Sequence, residues 1–112
     1  MALYDCEKLK RYIGDDPEAL KEMLILFIDS TVENMQEIKD AFEQKNMCEL
    51  EKAVHKLKPT LEIYSIDTLY DPVRELEKQA NQNETIENIK SNYELVMNSL
   101  NEVLDAMRKE TE

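Results

Sequence analysis

Glu51, His55, Lys58 and Glu62 fall at i, i+4, i+7 and i+11, a spacing that lines up one stripe of a helix. A second stripe of the same segment, Leu50, Val54, Leu57 and Leu61, is wholly apolar and runs on a different side. His55, the only histidine of the chain, is therefore expected at or near solvent, with the Lys58 ammonium one turn away. A neutral imidazole nitrogen is a good nucleophile near pH 7. A phosphoryl group taken up there would add negative charge, which Lys58 would offset. Lys52 and Lys56 add to a local basic cluster. The same pattern also fits a plain solvated surface, because a lone histidine on a helix commonly does no chemistry.

Other chemistries find fewer residues to work with. One histidine and two distant cysteines, Cys6 and Cys48, offer too few soft ligands for a metal site. A single glycine excludes a glycine-rich phosphate loop, and no Ser/His/Asp set can be assigned. The two cysteines read as reduced thiols of an intracellular protein.

The elements that must position His55 follow from periodicity. One glycine and three prolines in 112 residues leave few turn residues, which favours long helices over strands. Segment 5–13 reads as a short helix with Leu9, Tyr12 and Ile13 on its inner side and Gly14 as its stop. Asp15-Asp16-Pro17-Glu18 is a helix start, and Leu20, Leu24, Phe27, Thr31, Met35, Ile38 and Phe42 then step at threes and fours. This second helix is expected to reach about residue 44, a length of ~40 Å. A third starts near Cys48 after the Lys45-Asn46-Met47 break and runs through His55 to Leu61. A fourth begins around Asp71-Pro72 with Val73, Leu76 and Ala80 inward. The last carries Ile86, Ile89, Tyr93, Val96, Met97, Leu100, Val103, Leu104 and Met107, and is expected to fray from Arg108 onward. Short polar connections imply antiparallel neighbours. The expected fold is all-α, an antiparallel up-down four-helix bundle with a short extra N-terminal helix, as one domain over residues 1–112.

Charge narrows the partners. The net charge of −11 opposes both a nucleic-acid backbone and an anionic membrane surface. It suits a partner with a basic patch. The start Met1-Ala2-Leu3-Tyr4-Asp5 lacks the basic residues of a secretory leader, and the longest apolar run, residues 23–28, is too short to cross a bilayer. A cytoplasmic, monomeric protein is expected.

The run Ala53-Val54-His55-Lys56-Leu57-Lys58-Pro59-Thr60-Leu61 resembles the signature of histidine phosphotransfer (HPt) domains, a histidine with leucine or isoleucine two on and lysine three on. The flanks are similar to that family as well: residues 15–42 resemble its long second helix, and residues 69–80 the helix after its histidine helix. Two positions depart from the pattern. Pro59 stands where a glycine usually follows the lysine, and Ser65 replaces the glycine ten residues after the histidine. Serine is still small enough for close helix approach. Proline within a helix removes the hydrogen bond to the carbonyl of His55, so a bend at that residue is expected.

The resemblance implies that His55 carries a phosphoryl group between receiver-domain aspartates in a phosphorelay, with Lys58 as its electrostatic companion. The partners implied are receiver domains of hybrid histidine kinases or response regulators. No cofactor of the chain's own is implied, Mg being supplied at the partner receiver, and no kinase activity. The dimerising domain of a sensor kinase is a weaker fit, since it carries an acid where this chain has Lys56 and needs a glycine-rich nucleotide domain besides. A helical interaction module with an incidental surface histidine shares the same helical pattern; the His55–Lys58 stripe speaks against it.

Overall fold

Three helix starts are written locally, each by a side chain that accepts a hydrogen bond from an otherwise unpartnered backbone N–H. In the computed structural model, which describes residues 3–112, Asp16 accepts from the Glu18 N–H at 3.0 Å and Pro17 takes the first helical position. Asn46 caps onto Glu49 at 3.2 Å, and Thr85 onto Asn88 at 3.3 Å. The helices so begun are α2 (Pro17–Glu43), α3 (Met47–His55) and α6 (Ile86–Thr111). A short α1 (Glu7–Ile13) precedes them, while α4 (Lys58–Ile63), one turn of 3-10 helix (Asp67–Leu69) and α5 (Tyr70–Asn81) lie between α3 and α6. Met1 and Ala2, part of the start read above, lie outside the described residues.

Three helices end the same way. Lys45, Ser65 and Asn83 take left-handed backbone, with φ of 57°, 51° and 55°. The N–H after each turns back to a carbonyl of the last helical turn: Asn46 to Ala41 at 2.9 Å, Ile66 to Leu61 at 2.9 Å and Glu84 to Gln79 at 3.1 Å. Ser65 thus occupies a position where glycine is favoured for its φ. The relevant property is backbone freedom rather than the room for close helix approach expected from its small side chain.

Packing closes four long elements into a ring. α2 lies against α3 and α6, and α5 lies against the same two, so that α2 and α5 are diagonal. This is the expected all-α, antiparallel four-helix bundle, with α1 as the extra helix resting on α2. One buried apolar cluster fills it, including Ile38, Leu50, Val54, Leu76, Ile89, Val96 and Leu100, all fully buried. The 27 residues of α2 give it the expected ~40 Å length. Phe42 stacks flat on Tyr93 of α6, with ring centroids 3.8 Å apart, and Phe27 meets Tyr64 edge-on at 4.6 Å.

Three expectations change. The third helix is broken rather than bent: α3 ends at His55, Lys56 and Leu57 form a tight turn, and α4 starts at Lys58. Pro59 has no N–H to offer the His55 carbonyl, and Leu57 instead bonds back three residues to Val54 at 3.0 Å. Both linking residues keep right-handed φ and ψ, so Leu57 and Leu61 stay buried in line with Leu50 and Val54. Tyr12 is 83% exposed instead of inward. The seven-residue α1 buries only Leu9, with Ile13 half-covered, and two turns are too few to turn a wider face to α2. Finally, α6 does not fray at Arg108 but continues to Thr111, with Met107 fully buried and Arg108 paired to Asp105 at 3.3 Å.

The left-handed serine makes a stability prediction. Ser65→Gly should relieve backbone strain and raise unfolding stability by about 0.5–1 kcal/mol. Urea denaturation would show this as a higher midpoint at unchanged slope. A lower midpoint would mean that the serine side chain holds the turn in some other way.

Candidate functional site

His55 is the last residue of α3, flanked in sequence by the buried Val54 and Leu57. Its side chain is 68% exposed, as its stripe implied. The helix break beside it carries Lys58 into the first turn of α4. Facing both residues across the seam is Glu77 of α5, whose side chain is only 19% exposed.

The Glu77 carboxylate is shared. One oxygen, Oε2, lies 2.7 Å from His55 Nδ1, and the other, Oε1, accepts from Lys58 Nζ at 2.7 Å. An ionised carboxylate can only accept, so the hydrogen of a neutral imidazole is assigned to Nδ1. The lone pair then sits on Nε2, on the far side of the ring. Partial burial on its own would raise the Glu77 carboxyl. The hydrogen bonds from Lys58 and His55 outweigh it and hold the group below its ordinary range.

The structure therefore separates the four residues of the predicted stripe. His55 and Lys58 meet, through Glu77. Glu51 instead accepts from Asn81 of α5 at 2.6 Å, one helical turn from the site. Glu62 lies beyond the break with an exposed side chain, its carbonyl accepting from Lys8 Nζ at 3.2 Å. Lys58 stands one turn past His55 as its spacing implied, with its ammonium bonded to Glu77. The expected basic cluster is likewise divided among carboxylates: Lys56 pairs with Glu37 of α2 at 2.8 Å and Lys52 with Glu49 at 3.6 Å. The hydrogen bond to Glu37 raises the Lys56 ammonium above its usual value.

Sequence reasoning missed Glu77. The signal lay in the antiparallel pairing of α3 and α5, where four residues along one helix match four residues back along the other. Glu51 with Asn81 and His55 with Glu77 are successive rungs of that ladder. Glu77 also follows Leu76 at the edge of the inward face of Val73, Leu76 and Ala80, the usual place for a carboxylate that reaches a neighbouring helix. Among the described residues, no three His, Cys, Asp or Glu side chains gather as metal ligands would. Cys6 is half-buried and Cys48 exposed, and both are free thiols.

The shared carboxylate has a pH signature. Because its folded pKa is depressed, the stabilisation it gives is complete above the unfolded value of about 4.3 and is lost as pH falls through the lower folded value. Carboxyl carbon NMR should place the Glu77 midpoint below about 4.3, and Lys58→Ala should move it upward. A midpoint that does not respond to Lys58→Ala would contradict the shared geometry.

The chain matches the family model of the Hpt domain over residues 22–110, a span that takes in α3 to α5 entire, most of α2 and nearly all of α6, and leaves α1 outside. No curated protein and no solved structure matches it. Hpt domains serve histidine phosphotransfer in phosphorelays and interact with receiver domains there. A long match, a helical bundle and a solvent-facing histidine on the seam of two helices agree, and the chain belongs to the Hpt domain family.

Proposed function

We propose that His55 takes a phosphoryl group from the aspartyl phosphate of one receiver domain and passes it to the aspartate of another. The observation that carries this reading is the orientation of the ring: Nδ1 is tied to Glu77, so Nε2 is the nitrogen free to react. In the forward step the Nε2 lone pair attacks phosphorus, an N–P bond forms, and the P–O bond to aspartate breaks to give a carboxylate. Nε2 has no proton to lose, so no general base is required. The phosphorylated ring, with hydrogen still on Nδ1, is formally cationic, and the Glu77 carboxylate opposite stabilises that charge. On the return step the ring departs as neutral imidazole. Lys58, within reach of the same carboxylate, offsets the negative charge of the phosphoryl oxygens. The chain acts here as a carrier without kinase activity and without a cofactor of its own, Mg being held by the receiver. It works as a monomer in the cytoplasm.

Docking must exclude water from the transferring group. The apolar run of α2 supplies a surface for it. Leu24, Phe27 and Ile28 of that run are buried, whereas Leu26 remains 59% exposed beside Ile63 of α4. Leu26 and Ile63 share one shallow hollow with Thr60, five residues past His55. This strip receives the apolar face of a receiver.

Two tests follow. His55→Gln should keep the helical circular dichroism and abolish phosphate uptake from a phosphorylated receiver. Lys58→Ala should slow transfer about tenfold or more while changing stability by less than about 1 kcal/mol, since the ion pair is partly exposed. Uptake retained in His55→Gln would refute His55 as the acceptor, and no uptake by the wild-type chain from any receiver would favour an inert helical module. Leu26→Ser should weaken receiver binding severalfold, with stability altered by about 0.5 kcal/mol at most, as for other exposed positions. Unchanged binding would remove the docking strip.

A further inference from the structure

On a chain with 25 acidic and 14 basic side chains, cations that gather in one place call for an explanation. Three of them, Lys8 of α1, Lys58 of α4 and Arg74 of α5, line a cleft of about 400 Å³ beside the site. Glu62 is the single carboxylate on its wall, and Leu61, Val73 and Tyr70 form its apolar part. Arg74 lies one turn from Glu77 on α5 and is largely exposed, with only a weak contact to Asp71 at 3.9 Å. A second hollow adjoins the first, sharing Lys8 and Glu62 and adding Arg11, Tyr12, Pro59 and Ile63. The surface next to His55 is thus continuous, basic through Arg74, Lys8 and Arg11 and apolar at Ile63.

We infer that this cleft seats an acidic segment of the docking receiver domain, with Arg74 and Lys8 as its recognition residues. The inference rests on the phosphotransfer reading and adds to it the charge of the partner's contact surface. A small free anion suits the cleft less well. Lys8 already donates to the Glu62 carbonyl and Lys58 to Glu77, so the cations do not converge on one vacant point. They are instead spread along an open channel with apolar walls, as fits carboxylates carried on a polypeptide. Their charges lessen locally the repulsion that the rest of this acidic chain exerts on an acidic partner.

Charge reversal away from the transfer machinery tests this. The probe is a receiver domain activated with beryllofluoride, chosen because its phosphorylated form transfers to the wild-type chain. Arg74→Glu and Lys8→Glu should each weaken its binding about three- to tenfold at ~50 mM salt, with the difference collapsing near ~0.5 M salt. The single-turnover transfer rate at saturating receiver should stay within about twofold of wild type, because neither residue touches His55. Lys45→Glu, an equal change of net charge at the opposite end of the bundle, should bind as wild type does, and Arg74→Gln gives an intermediate loss without an added carboxylate. Wild-type affinity in both reversal variants would overturn the inference while leaving phosphotransfer intact. An equal loss in Lys45→Glu would reduce it to net charge and overturn it too. Saturable NMR shifts at Lys8 and Arg74 with orthophosphate, without any effect of the variants on receiver binding, would reassign the cleft to a small anion. If no receiver in a panel transfers to wild type, the phosphotransfer reading itself fails, and the cleft assignment with it.

Discussion

The carboxylate of Glu77 accepts from two donors that lie on either side of a helix break, His55 at the end of α3 and Lys58 at the start of α4. Much else in the structure can be traced to that arrangement. It requires α5 to run antiparallel to α3 in the register where Glu77 stands opposite His55. It also requires the ring to present its other nitrogen outward. A carboxylate in this place orients the imidazole and, in the proposed transfer, would stabilise the cation formed on loading Nε2, two roles that a solvating water could not combine.

The break itself has a local cause. Pro59 cannot donate to the His55 carbonyl, and its ring crowds that carbonyl, so the backbone tightens over Lys56 and Leu57 before continuing. The cost is limited because both residues remain in right-handed conformation and Leu57 stays in the core. The side chains on the outer face are more affected. Glu62 follows Lys58 by one turn of α4 and lines a cleft with it, and Lys56 turns towards Glu37 of α2. The histidine is thereby flanked by an α2 ion pair on one side and an α5 carboxylate on the other.

Much of the bundle could be read from the sequence because its signals are local. The Asp16-Pro17 start, the apolar steps from Leu24 to Ile38 and the exposure of His55 each depend on residues a few positions apart. The HPt resemblance rested on such a run, residues 53–61. What could not be read depended on contacts between elements or on backbone torsions. Glu77 lies 22 residues from His55 and is placed by helix pairing. The left-handed turns at Lys45 and Ser65 bear no glycine to announce them. Tyr12 fits an inward helical face by spacing, yet α1 is too short to present one. The Lys58–Glu77 pair was hidden for a similar reason, since the acceptor belongs to another helix.

In the proposed transfer the Glu77 contact decides which ring nitrogen reacts. With the imidazole nitrogens labelled with 15N, the protein would be loaded from a phosphorylated receiver and followed by two-dimensional NMR of the ring, with 31P coupling to identify the bonded nitrogen. The phosphoryl group is expected on His55 Nε2, with Nδ1 still protonated against Glu77. Phosphorus on Nδ1, or on any other residue, would contradict it.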